Sequence, residues 1–214
     1  MVRKATKKKR GIETRKRKNI ILLGSEGKNE TERRYFNGFK SKLNHYIIMH
    51  TSGNNTDPLG VINNTVDEVN YQELDFENGD LAYVLLDCDI NKGVTNEKKL
   101  ISSLKKAKKN KIIPILSTPA FELWYLLHYR FTSKSFNSNQ ELISDLREYI
   151  PTYNKSSDVF HTLFPKTGDA ITNAIKLTKY QKENNPELSQ LHKTNTDVFQ
   201  LVEILMNDIN DKSS

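Results

Sequence analysis

The chain has 214 residues, of which 36% are apolar and 28% are charged, and its formal net charge is +7 at pH 7. This length suits one domain, or one domain with an appended segment, with enough apolar residues for a hydrophobic core. Its sequence has no apolar run long enough to span a membrane, and its single cysteine excludes an internal disulfide framework.

The positive charge is concentrated at the amino terminus. Residues 3–18 hold ten Lys or Arg and one acid, a net charge of +9, which leaves −2 for the rest of the chain. Such a run is typically disordered and binds polyanions without sequence preference. We predict a basic disordered tail over residues 1–18, with a solubilising arm as the alternative role. The residues predicted to contact nucleic acid are Lys7, Lys8, Lys9, Arg10, Arg15, Lys16, Arg17 and Lys18.

This amino terminus does not resemble a signal peptide. It lacks an apolar region of the usual length followed by a small-residue cleavage site. We therefore expect a cytoplasmic protein without membrane association.

Short apolar runs alternate with helical patterns through the first half of the chain. The runs cover residues 19–24, 46–50, 81–86 and 112–116, and the helical patterns cover residues 30–43, 58–69 and 96–110. This alternation predicts an α/β fold with a doubly wound, mainly parallel four-stranded sheet over residues 19–118. Pro114, within the fourth run, favours an edge position for that strand.

The second half of the chain is predicted to be helical. Its patterns cover residues 119–129, 138–150, 157–164 and 169–183, followed by a last helix capped by Asn195 or Thr196. Thr118 is predicted to cap the first of these helices, with Pro119 at its first position. We expect residues 119–214 to form a helical region packed on the sheet.

Two aspartates follow the central apolar run of residues 81–86. Asp87 and Asp89 are two residues apart, so in an extended chain they point the same way from the carboxyl end of a strand, where ligands bind in open α/β sheets. Paired carboxylates repel unless a proton or cation lies between them, and oxygen ligands alone suit Mg²⁺ or Mn²⁺. Cys88 should face the opposite side, into the core, as a small hydrophobe.

Three other interpretations of these aspartates remain open. A calcium loop of EF-hand type requires Gly and Glu where the chain has Lys92 and Lys98. A phosphatase similar to haloacid dehalogenases uses Asp-x-Asp with the first aspartate as nucleophile, but usually has Thr or Val where Asn91 stands. A solvated turn is the third interpretation, because Asp and Asn are common turn residues.

Two further acids are candidates for the same site. Glu26 follows the first apolar run, so it would meet Asp87 and Asp89 if the two strands are neighbours. Glu122 lies in residues 120–129, a segment that is apolar nearly all round and should be buried. A buried carboxylate is costly unless it is paired or near a cation, which makes Glu122 a functional candidate beside its structural alternative. His128, in the same segment, is more typical of a core histidine.

Several segments resemble the RloB-like family. The Ser-Thr-Pro-Ala-Phe-Glu-Leu-Trp segment is the most specific; in it, Thr118 stands where the family usually has Asn. An extra residue between Gly27 and Thr31 leaves the roles of Glu30 and Glu32 open. The similar segments are residues 21–27 with 31–36, residues 83–89, residues 117–129 and residues 195–198.

The resemblance implies a fold and a function. The family is regarded as Toprim-like, which matches the Toprim glutamate to Glu26 and the Toprim Asp-x-Asp to Asp87 and Asp89. Related Toprim effectors act as nucleases, so our leading hypothesis is a nuclease that depends on Mg²⁺ or Mn²⁺. In this hypothesis Glu26 completes the metal site or transfers protons, and Glu122 binds a second ion. Family members occur in phage-defence abortive-infection systems, of which the AbiL type is the most similar. They commonly stand beside an OLD-like or AAA-type ATPase, and analogy favours RNA, including tRNA, as the nucleic acid substrate.

A second hypothesis comes from a different functional class. The protein would be a partner-binding subunit of the ATPase complex, its acids would only maintain the fold, and its helical region would supply the docking surface. A partner-binding subunit should show no Mn²⁺-dependent thermal shift that Asp87→Asn removes. The phosphatase should hydrolyse a small phosphoester and form an acyl-phosphate at Asp87.

Overall fold

A five-stranded sheet lies at the centre of the computed structural model, which describes residues 17–26, 30–52, 57–88, 96–136 and 138–213. The strand order is β2-β1-β3-β4-β5, and the first four strands run parallel. The strands are β1 (Ile20–Ser25), β2 (Tyr46–Thr51), β3 (Leu81–Asp87), β4 (Ile112–Thr118) and β5 (Asn195–Thr196).

The prediction of four strands was wrong by one. β5 has only two residues and pairs antiparallel with β4, with Thr196 opposite Ser117 and Asn195 opposite Thr118. A two-residue strand is too short to show an alternating pattern in sequence. Within the described residues, this pairing leaves Pro114 without a strand partner on that side, which explains how proline fits into β4.

Helices cover both faces of the sheet, as a doubly wound arrangement requires. Along β3, Ala82, Val84 and Leu86 pack in the cluster that contains α2 and α3, whereas Tyr83 and Leu85 pack with α1 and the carboxyl-terminal helices. The helices are α1 (Glu30–Asn37), α2 (Pro58–Tyr71), α3 (Glu97–Lys109), α4 (Glu122–Leu127), α5 (Asn139–Arg147), α6 (Phe160–Leu163), α7 (Thr167–Asn184) and α8 (Val198–Ser213).

The larger hydrophobic cluster draws on residues from both predicted halves of the chain. It joins Leu23 and Leu85 of the sheet to Leu123 of α4 and Leu201 of α8. The helical region therefore shares a core with the sheet. None of the helices in the part of the chain that the structure describes combines the length and apolar character that a membrane crossing requires.

Several helix boundaries differ from the predictions; α1, for example, ends at Asn37 rather than at residue 43. Thr118 does not cap α4, because it belongs to β4 and pairs with β5, and α4 begins only at Glu122. The helix predicted over residues 157–164 is shorter in the structure, where α6 covers only Phe160–Leu163. Pro165 follows it in the first turn of a short 3₁₀ helix, Phe164–Lys166, that leads directly into α7.

Gly24 permits the close packing of β1 against α2. A Cβ atom at this position would lie 2.0 Å from Oγ1 of Thr65, whereas a Cβ atom at Gly168 in α7 would meet nothing within 4 Å. We predict that Gly24→Ala lowers the free energy of unfolding by about 1–3 kcal/mol through overpacking. The free energy of unfolding is measured by urea denaturation of Gly24→Ala and of the control Gly168→Ala. Equal stability of the two variants would contradict the close approach.

Candidate carboxylate site

Two adjacent strands bring acidic residues to the same edge of the sheet. Asp87 is the last residue of β3, and Glu26 follows Ser25, the last residue of β1. The strands are paired in parallel, with Gly24 opposite Val84, so both carboxylates lie at the carboxyl edge, as predicted. Asp89 lies outside the described residues, and its place in the site stays a prediction.

Asp87 connects the sheet to α4. Its Oδ1 atom accepts a hydrogen bond of 2.9 Å from the backbone N–H of Phe121, immediately before the helix begins. It follows Tyr83 and Leu85 in the alternation of β3, on the face that packs against α1 and α4. The hydrogen bond therefore fixes the carboxylate beside the first turn of α4.

Glu122 is the first residue of α4, and only 1% of it is exposed. Its Oε1 atom accepts a hydrogen bond of 3.0 Å from the Tyr153 hydroxyl. The ammonium of Lys155 lies 3.9 Å from the same oxygen. The predicted burial of Glu122 is thus confirmed, and one of its oxygens is held by a neutral donor with a cation nearby.

Glu32 is a buried acid that the sequence left without a role. It lies in α1, is 5% exposed, and its Oε2 atom has no hydrogen-bond partner among the described residues. The available signal was its spacing: Glu32 precedes Tyr35 by three residues and Phe36 by four, which places it on the buried face of the helix. Glu30, by contrast, is paired with Arg33 and Arg34.

These four acids, Glu26, Glu32, Asp87 and Glu122, form what we term the carboxylate cluster. Burial, reinforced by the charges of Glu122 and Glu26, raises the pKa of Glu32 to about 8. Burial and the charges of Glu32, Glu122 and Glu26 raise the pKa of Asp87 well above its ordinary value, and burial raises that of Glu26. The cluster therefore favours bound protons or a cation over full ionisation.

Lys155 is the second residue of the site that the sequence did not indicate. Its positive charge lowers the pKa values of Glu26, Glu32 and Asp87, in opposition to burial. It lies between α5 and α6, in a polar stretch where a lysine carries no distinguishing pattern. Lys155 is distant in sequence from these acids and lies near them only in the folded chain.

The donor set of the cluster is chemically suited to a hard divalent cation. All of its ligating atoms are carboxylate oxygens, which Mg²⁺ and Mn²⁺ prefer. Within the described ranges, no group of three His, Cys, Asp or Glu side chains has the arrangement needed to hold a metal ion. The observations that favour a cation are therefore the donor chemistry, the unsatisfied Oε2 of Glu32 and the mutual repulsion of the acids, and not the arrangement of the described side chains.

His128 and Cys88 occupy structural positions. The Nδ1 atom of His128 lies 2.9 Å from the carbonyl oxygen of Trp124, and burial lowers the pKa of the imidazole to about 4, so it is neutral at pH 7. Cys88 packs in the cluster with α2 and α3, as predicted. Burial, together with the charge of Asp87, raises the pKa of its thiol to about 12, which excludes a thiolate nucleophile at neutral pH.

Arg17 and Lys18, the only residues of the basic tail within the described ranges, lie near the amino ends of the strands, opposite the edge that carries the carboxylate cluster. Arg17 forms a salt bridge with Asp80, which immediately precedes β3, and the ammonium of Lys18 lies 6.0 Å from the centre of the Tyr46 ring. A strand of this length separates Asp80 from the carboxylate cluster by about 20 Å. Residues 1–16 lie outside the described ranges, so nucleic-acid contacts by the tail stay a prediction.

Comparison with known proteins gives one family match. The model of RloB-like proteins matches residues 21–205 of the chain, which includes all four acids of the carboxylate cluster. No curated protein and no solved structure gives a match.

We predict that Glu32 makes the stability of the metal-free protein depend on pH. Its pKa is about 8 in the folded protein against an ordinary value of 4.5, so between these values the folded state holds a proton that the unfolded chain releases. Stability should therefore fall as the pH rises, by up to about 1.4 kcal/mol per pH unit from this group. Glu32→Gln should reduce the slope, as measured by urea denaturation from pH 5 to pH 8.

Glu30→Gln is the matched control on the same helix. Hydrogen bonding to Arg34 lowers the pKa of Glu30. Protonation of Glu30 therefore changes the stability only at pH values below the range from 5 to 8. An unchanged slope in Glu32→Gln would show that Glu32 does not hold its proton in the folded protein.

Proposed function

Because the chain belongs to the RloB-like family, we propose that the carboxylate cluster is the active centre of a metal-dependent nuclease of Toprim type. The observation that carries the proposal is the convergence of four carboxylates at the carboxyl edge of a parallel sheet, with Glu32 and Glu122 buried. A fold does not maintain buried, mutually repelling acids without cost, and such groups concentrate at functional sites.

The residues of the proposed site come from four elements, β1, α1, β3 and α4, or follow them directly in the chain. Asp87 and Asp89 would bind Mg²⁺ or Mn²⁺, Glu26 would complete the site, and Glu32 and Glu122 would supply further oxygens or a second ion site. A bound divalent ion activates water and neutralises charge that develops on the phosphate. The match of Glu26, Asp87 and Asp89 to the Toprim acids is part of this proposal.

The protein's own contacts position these groups. The N–H of Phe121 orients Asp87, and the hydroxyl of Tyr153 orients Glu122. In the metal-free protein Glu32, with its pKa of about 8, retains a proton at neutral pH. If Glu32 does not ligate the ion, such a group can give or accept a proton during phosphodiester hydrolysis near neutral pH, so Glu32 joins Glu26 as a candidate acid or base.

The biological setting of the proposal follows from the family resemblance. We place the protein in the cytoplasm as the effector of an abortive-infection defence against phage, with an OLD-like or AAA-type ATPase as partner. RNA, including tRNA, is the favoured substrate. The basic tail would add contacts to the phosphate backbone.

A partner-binding subunit without catalysis is the competing function. The helical region offers a surface for it, because Ile175 in α7, Leu188 after α7 and Ile204 in α8 are 46%, 50% and 39% exposed. A phosphatase with Asp87 as nucleophile is the third possibility. It would hydrolyse a small phosphoester and form an acyl-phosphate at Asp87.

We predict that Asp87→Asn abolishes nuclease activity without unfolding the protein. Asparagine keeps the shape of the side chain but removes a negative charge, and loss of the metal's charge stabilisation costs orders of magnitude in rate. The metal-free melting temperature should be unchanged or higher, because one source of repulsion is removed. The measurements are Mn²⁺-dependent thermal shift, cleavage of total RNA and plasmid DNA, and toxicity in cells that also make the ATPase.

Asp169→Asn is the control, because it makes the same substitution at an exposed position of α7. It should behave as the wild type in all three assays. Retained cleavage or toxicity in well-folded Asp87→Asn would contradict the nuclease proposal. A wild-type protein without any Mn²⁺ shift would favour the partner-binding function, and turnover of small phosphoesters alone would favour the phosphatase.

A further inference from the structure

Lys155 places a positive charge beside the carboxylate cluster. Its ammonium nitrogen lies 3.9 Å from Oε1 of Glu122, and 43% of its side chain is exposed, whereas only 2% of the Glu122 side chain is. Solvent therefore reaches the side chain of Lys155, whereas the acid beside it is buried.

The backbone around Lys155 is held by hydrogen bonds to two helices. The Thr31 hydroxyl of α1 donates to the carbonyl oxygen of Lys155 at 3.0 Å, and Nε of Arg147 in α5 donates to the carbonyl oxygen of Tyr153 at 3.0 Å. Within the segment, Asn154 accepts a hydrogen bond from the backbone N–H of Ser156 at 2.9 Å. The backbone of Lys155 is thus held against α1, the helix that also carries Glu32.

The distance of 3.9 Å between the Lys155 ammonium and Oε1 of Glu122 is too long for a hydrogen bond. A charge-assisted N–H···O hydrogen bond is about 2.7–2.9 Å long, and an ion pair with an exposed lysine adds little stability. The hydrogen bond to Oε1 of Glu122 comes instead from Tyr153, at 3.0 Å. The ammonium, with three donors, consequently retains capacity for an anion.

We infer that Lys155 is a substrate-contacting residue that binds a non-bridging oxygen of the phosphodiester. This inference rests on the proposed function and extends it. A cluster of four acids repels a phosphate group, and the ammonium of a half-exposed lysine whose backbone is held beside the cluster offsets that repulsion. Lysine binds phosphate as a point charge, so it requires no bidentate geometry at this position.

The test compares Lys155→Met and Lys155→Arg with Lys179→Met. Lys179 is a matched control, because its ammonium also lies 3.9 Å from a glutamate oxygen, that of Glu183, but on the exposed surface of α7. Three quantities are measured: Mn²⁺ affinity by calorimetry, binding of inorganic phosphate in the presence of Mg²⁺ by phosphorus NMR, and the rate of cleavage of total RNA and plasmid DNA.

We expect Lys155→Met to weaken phosphate binding and to slow cleavage by about 10- to 100-fold each, the value of a hydrogen bond to a charged group. Its Mn²⁺ affinity should stay equal or increase, because a positive charge leaves the cluster. Lys155→Arg should recover part of both losses, and Lys179→Met should match the wild type.

Other outcomes overturn the inference in distinguishable ways. If the wild type cleaves and Asp87→Asn does not, but Lys155→Met equals the wild type, the nuclease proposal stands and the role of Lys155 is wrong. If Lys155→Met binds Mn²⁺ more tightly and cleaves faster, Lys155 only occupies the place of the cation. If the wild type neither binds phosphate with Mg²⁺ nor cleaves, Lys155 has no phosphate ligand to bind.

Discussion

The packing of α1 against α4 around the ring of Tyr35 is the constraint on which the candidate site depends. Tyr35 contacts the rings of Phe121, Trp124 and Tyr125 at centroid distances of 5.9, 6.4 and 5.6 Å, and that of Phe160 at 5.7 Å. The pairs with Phe121, Trp124 and Phe160 are edge-to-face, a geometry that stabilises a core beyond the area it buries. Glu32 lies one turn before Tyr35, and Glu122 follows Phe121. The aromatic core therefore forces both acids into the interior beside the end of β3.

The burial of Glu32 and Asp87 beside other acids lowers the stability of the metal-free protein when these groups ionise. Desolvation and repulsion raise the pKa values of Glu32 and Asp87, so the metal-free fold is held together against its own charges at high pH. The large apolar cluster that joins the sheet to the helical region offsets this cost. A divalent cation, a bound proton and the ammonium of Lys155 each relieve the same repulsion. The pKa values of these acids therefore make the stability of the metal-free protein depend on pH.

The sequence predicted the sheet edge better than the groups that surround it. Buried parallel strands have continuous apolar runs, so the ends of β1 and β3, and with them Glu26 and Asp87, were found from local pattern. Glu122 was found because a lone acid in an apolar helix is conspicuous. Lys155 was missed because its position depends on hydrogen bonds to two distant helices, and β5 because two residues carry no periodicity. Glu32 was left without a role although its helical spacing from Tyr35 was available.

The most direct test of the account is diffraction from crystals grown with Mn²⁺, with anomalous difference maps calculated for the wild type. If the carboxylate cluster holds a cation, the map will show an anomalous peak at the carboxyl edge of β1 and β3, next to Asp87 and within reach of the other acids of the cluster. This peak will be absent from crystals of Asp87→Asn grown in the same way. A wild-type map without a peak at this edge, or with manganese bound only elsewhere on the protein, would contradict the central claim that these acids form a cation site.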